Sequence, residues 1–115
     1  MKLNYGHGEK EIIVSAWTLY LYECEFKGGD MIADVFGRVE IGGEDDGALV
    51  IDYSKTNWTS VIKALWACLK AADASLPPFE EWAKTLGTID LYEVVSTVVP
   101  EMQRNLFQSG ASDSE

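Results

Sequence analysis

A few residue groupings in this 115-residue chain have the types needed for chemistry. His7 is the single histidine. A histidine works as a base or a metal ligand when rigid neighbours orient it. His7 instead lies in Gly6-His7-Gly8, a turn-forming triplet, and reads as a solvated turn residue. Glu23 and Glu25 flank Cys24, and Asp30 and Asp34 follow. Paired carboxylates can exchange protons or hold a hard cation. On a helix Glu23 and Glu25 point to different faces, and Asp30 and Asp34, which share one, supply too few oxygens for a site. Both pairs read as solvated or salt-bridging groups. Glu44-Asp45-Asp46-Gly47 has the composition of a calcium loop without its alternating acids or distal Glu. Gly28-Gly29-Asp30 is no phosphate cradle, and no G-x-G-x-x-G is present. Cys24 and Cys68 are the only cysteines; both have apolar neighbours and read as reduced, buried thiols. The chain therefore offers no catalytic, cofactor-binding or metal-binding set and reads as non-enzymatic.

What remains is a large stock of aromatic residues, among them Trp17, Tyr20, Tyr22, Phe26, Trp58, Trp66, Phe79, Trp82, Tyr92 and Phe107. Such residues build cores, and Trp and Tyr are also enriched at binding hot spots. Trp58 and Trp66 read as core. Phe79 and Trp82, beside the polar pair Glu80-Glu81, read as interface residues, as do Tyr92, Met102 and Leu106 on the last helix.

The elements that must position these residues are mainly helical. Residues 1–14 form an arm or a small β-hairpin, with Leu3 and Tyr5 alternating with polar neighbours and glycines to turn the chain. Ser15 is a suitable cap and Gly28-Gly29 a suitable stop for a helix over about 16–27. Asp30 can cap a short second helix to Phe36. Residues 37–48 read as a Gly-rich acidic loop with one brief strand at Val39 to Ile41. Leu49-Val50-Ile51 could add a helical turn or anchor the chain.

The central helix is clearest. Asn57 or Thr56 can cap it, and Trp58, Val61, Ile62, Leu65, Trp66, Leu69 and Ala72 recur at three- and four-residue steps as one apolar stripe. Pro77-Pro78 stops it, and Pro78 starts another helix, Phe79 to Leu86, ended by Gly87. A last helix spans about 90–108, capped at Asp90, with Leu91, Val94 or Val95, Val98, Met102 and Leu106 on one face and a kink expected at Pro100. Residues 109–115 read as a disordered acidic tail. The expected architecture is one small helical domain over 1–108, with four to five helices.

The formal charge of -10 repels phosphate backbones, which argues against nucleic acid as a partner and leaves basic partners open. No apolar run approaches a membrane span, and MKLNYGHGEKE lacks a signal-peptide core, so a cytoplasmic location is expected. Exposed apolar faces leave homo-oligomerisation open.

Two segments carry a family resemblance. LYLYECEFKGGDMIADVF, through Tyr22, Glu23, Glu25, Phe26, Gly29 and Asp30, resembles the small tail assembly chaperones of long-tailed bacteriophages and prophages. ALWACLKAADASLPPFEEWAKTL is similar to their Leu-Trp-Ala, Lys-x-Ala-Asp and Pro-x-Phe-Glu-x-aromatic segment, through Leu65, Trp66, Ala67, Lys70, Ala72, Asp73, Pro78, Phe79, Glu80 and Trp82. The match spans roughly residues 15–86 and excludes the acidic loop at 42–47. The resemblance implies a mainly helical, non-enzymatic protein of the bacterial host cytoplasm. Such a protein binds the tape measure protein, keeps it soluble and helps recruit tail tube subunits. Many of the family are made in two forms by ribosomal frameshifting. Two other readings stay open: a structural virion component, such as a connector or tail protein, and a small host-encoded protein-binding regulator.

Overall fold

The N-terminal arm is a true hairpin. In the computed structural model, which describes residues 1–36, 40–41, 49–50 and 56–107, β1 (Lys2–Asn4) pairs antiparallel with β2 (Glu9–Glu11), Lys2 opposite Glu11 and Asn4 opposite Glu9. Gly6 and Gly8 make the turn at φ 111° and 87°, a region that costs other residues dearly. Leu3, Tyr5, Ile12 and Val14 are buried. The Ile13 N–H donates to the Cys68 carbonyl at 3.1 Å, and the Asp90 N–H donates to the Tyr5 carbonyl at 2.9 Å. These two bonds tie the hairpin to helices far along the chain.

Helix α1 (Ala16–Glu25) begins at Ser15, whose N–H donates to Thr18 Oγ1 at 3.2 Å. Thr18 is fully buried, which its hydroxyl tolerates by donating to the Ile13 carbonyl. Gly29 follows the helix in a place with no room for a side chain. A Cβ there would lie 3.0 Å from both Asp34 Oδ2 and the Tyr22 ring. Helix α2 (Met31–Phe36) is capped by Asp30, which accepts from the Ala33 N–H at 3.2 Å. Strands β3 (Glu40–Ile41) and β4 (Leu49–Val50) then pair antiparallel. Of Leu49-Val50-Ile51, expected to add a helical turn or to anchor the chain, the first two residues form β4 rather than a helical turn, and Ile51 lies outside the described residues. Of the acidic loop expected over 37–48, residues 37–39 and 42–48 lie outside the described residues, as does the tail at 109–115.

Helix α3 (Trp58–Ala72) is capped as expected by Asn57, whose side chain accepts from the Ser60 N–H at 3.1 Å. Val61, Ala64, Leu65, Trp66, Ala67, Cys68 and Leu69 are buried, and α1, α2 and α5 all pack against this helix. Its far end is closed by Lys70, whose ammonium donates to the carbonyls of Ala74 and Leu76. Helix α4 (Phe79–Ala83) is shorter than expected, giving way at Thr85 and Leu86 to a tighter turn of i to i+3 bonds. Helix α5 (Leu91–Met102) is capped by Asp90, which accepts from the Glu93 N–H at 3.0 Å. Pro100 sits inside α5, and regular α bonding gives way to a π-helical turn at Gln103–Phe107. The architecture is therefore mainly helical, five α-helices with a short N-terminal hairpin among the described residues.

Two expectations about burial are corrected. Cys24 is exposed, because α1 buries Thr18 and Tyr22 and turns position 24 outward. Trp58 is 44% exposed, because it stands at the first residue of α3, where the stripe runs past the edge of the core.

Cys68 is buried as expected, and burial pushes its thiol up to about 12 from an ordinary 9.0. Above an ordinary thiol pKa the unfolded chain loses this proton while the folded chain keeps it. Stability is thus fully present below about pH 9 and lost as pH rises towards 12, by up to about 1.4 kcal/mol per pH unit. Burial, and then the hydroxyl's bond to Asp34, raise Tyr22 too and steepen the loss at higher pH. Urea unfolding of Cys68→Ala across this window is expected to show lower stability at neutral pH and a shallower alkaline decline. Parallel curves for variant and wild type would contradict this origin.

Candidate protein-binding surface

The five residues expected to bind protein do not share a surface. Trp82 and Met102 are 6% and 2% exposed and belong to the core, which corrects their reading as interface residues. Phe79 and Leu106 are half-buried against that core. Tyr92 alone projects freely, at 79% exposure.

The reason lies in an aromatic chain through the domain. Tyr22 stands 4.7 Å from Phe26, Phe26 meets Trp66 edge-on at 5.8 Å and Phe79 edge-on at 5.1 Å, Phe79 stands 6.1 Å from Trp82, and Trp82 meets Tyr5 edge-on at 6.4 Å (all between ring centroids). Such edge-on and tilted pairs are favoured by the ring quadrupoles. Around the chain, Lys63 places its ammonium 5.1 Å over the Phe26 ring, and the Trp66 indole donates to the Pro77 carbonyl at 2.9 Å. Glu25 accepts from the Phe79 N–H at 2.8 Å and so caps α4 from a distant helix. The two segments that carry the family resemblance thus meet in space, and Tyr22, Phe26, Trp66, Phe79 and Trp82 within them are packing positions.

The carboxylates expected to be solvated or salt-bridging are divided. Asp30 caps α2, Asp34 accepts the Tyr22 hydroxyl at 3.0 Å, Glu25 caps α4, and Glu23 stays exposed. His7 is exposed as expected but docks, its Nε2 lying 2.9 Å from the Thr88 carbonyl and its ring 5.2 Å from that of Tyr5. Among the described residues no three His, Cys, Asp or Glu side chains are grouped to hold a metal ion, and no helix is long and apolar enough to cross a membrane.

Apolar surface is exposed at other places. A groove of about 630 Å³ lies between the starts of α3 and α5, lined by Trp58, Leu91, Tyr92, Val95 and Ser96. Val95 and Leu91 form its inner part, buried and half-buried, while Trp58 and Tyr92 stand out at its rim. A second patch lies on α1, where Trp17 and Tyr20 are each 54% exposed. The sequence held a faint signal for both. Trp58 begins its helix, and α1 carries apolar residues around its whole circumference rather than along one stripe.

The chain matches no family model, no curated protein and no solved structure.

Proposed function

We propose that this protein works by binding other proteins rather than by catalysis. More particularly, we propose that it is a phage or prophage tail assembly chaperone, which holds the tape measure protein in soluble form in the bacterial cytoplasm and helps recruit tail tube subunits. The groove between α3 and α5 carries the reading. Two large aromatic side chains stand in water at its rim, with apolar side chains between them, on a chain of net charge -10. Exposed apolar grooves of this kind receive amphipathic helices, and a strongly negative surface keeps the loaded complex in solution. A long helical client with bare apolar stripes would otherwise associate with itself. The resemblance of residues 15–86 to the chaperone family supplies the client.

Fractionation of an infected or induced culture tests this reading. A chaperone is expected to travel with tape measure protein in assembling lysate and to be missing from purified particles. Recovery of this chain in particles at a fixed ratio to tail subunits would instead make it a virion component.

A further inference from the structure

We propose that the outer face of α1 is a second docking surface, separate from the groove, and that its occupant is an Arg- or Lys-bearing segment of a partner protein. Helix α1 spends Thr18 and Tyr22 on the core and turns Trp17 and Tyr20 to solvent. Those two rings stack at 5.4 Å between centroids and 24° between planes, so they form one continuous aromatic platform. Aromatic faces of this kind bind guanidinium and ammonium groups within about 6 Å of the ring centroid.

The platform runs directly into an acidic cleft. Glu23 is exposed one turn beyond Tyr20 and lines a cleft of about 350 Å³ with Leu19, Gly28, Gly29, Asp30 and Met31. Half-buried Leu19 gives it an apolar side, and it is lined by the acidic residues Glu23 and Asp30, the latter also capping α2. A basic side chain meets these requirements at once, with its aliphatic stem on Leu19 and its charged head toward the carboxylates. Charge selects among the occupants. A second copy of a chain carrying -10 and a nucleic acid are both repelled, whereas a basic protein segment is attracted.

The test uses the full chain labelled with nitrogen-15 and, as probe, a synthetic helical peptide with leucines on one face and lysines and arginines on the other. The expected result is a shift of the Trp17 indole signal and of backbone amides across residues 16–31. Trp17→Ala with Tyr20→Ala is expected to weaken binding at least about tenfold while leaving the melting temperature unchanged, because both side chains are exposed. Glu23→Gln with Asp30→Asn should weaken it several-fold and flatten its salt dependence. Glu80→Gln with Glu81→Gln, an equal change of charge on exposed positions of α4, should leave it nearly unaltered. Equal weakening by the two charge pairs would reduce the effect to net charge and overturn the proposal. So would shifts confined to Trp58 and Tyr92, or a dimer in sedimentation that the Trp17 and Tyr20 substitutions dissolve. Because the readout is on α1, failure here leaves the groove and the chaperone reading untouched, and loss of client capture there leaves this surface untouched.

Discussion

Trp82→Ala is expected to lower stability by about 3–5 kcal/mol, the usual result of removing a large aromatic side chain from a packed core. Trp82 is 6% exposed and joins two parts of the molecule, meeting Phe79 within its own helix and Tyr5 of the hairpin edge-on. Helix α4 has only five residues. A helix so short has no stability of its own and holds its shape through packing. Removing the indole therefore frees α4 and loosens the hairpin together. Since a domain of this size is stabilised by about 5–15 kcal/mol in all, the melting temperature should fall by more than about 10 °C. Thermal unfolding followed by circular dichroism checks this. A variant that melts within a few degrees of wild type yet loses client capture would return Trp82 to the surface.

Trp58→Ala with Tyr92→Ala should behave in the opposite way. The two side chains are 44% and 79% exposed and stand at the rim of the groove, so their loss creates no cavity and should move the melting temperature by only a few degrees. Binding should suffer far more. Exposed Trp and Tyr side chains on an apolar floor are the residues at which truncation commonly costs about 2 kcal/mol or more, and a pair should weaken client capture by well over about tenfold. Pull-down at matched concentrations of folded variant and wild type measures it. Undiminished capture by the folded double variant would remove the groove from the binding surface.

The contrast between Trp82 and Trp58 shows where the sequence was legible. Periodicity and caps located the helices well: Asn57, Asp30 and Asp90 each cap as their positions foretell, and the stripe Val61, Leu65, Trp66, Leu69 is buried. Those signals are local, set by hydrogen bonds within one turn and by the 3.6-residue repeat. Burial of a single aromatic is not local. The pair Glu80-Glu81 beside Trp82 suggested a wet surface, but the helix turns its indole toward Tyr5, more than seventy positions earlier in the chain, and leaves the acids outside. Trp58 shares the stripe's spacing but stands beyond the end of the core, and spacing cannot tell where a core ends. Glu25 was legible as a carboxylate and not as the cap of α4, since that bond joins residues far apart in sequence. Trp17 and Tyr20 were hidden by the same helix that buries Tyr22, because α1 is apolar on both sides.

The most direct measurement is co-expression of this chain with the proposed client, the protein encoded by the next long downstream reading frame, read by solubility of the long protein and by pull-down. A chaperone working through the α3–α5 groove should convert an insoluble client into a soluble one that stays bound, and should lose both effects on Trp58→Ala with Tyr92→Ala. A client that remains insoluble and unbound beside the folded wild-type chain would contradict the account.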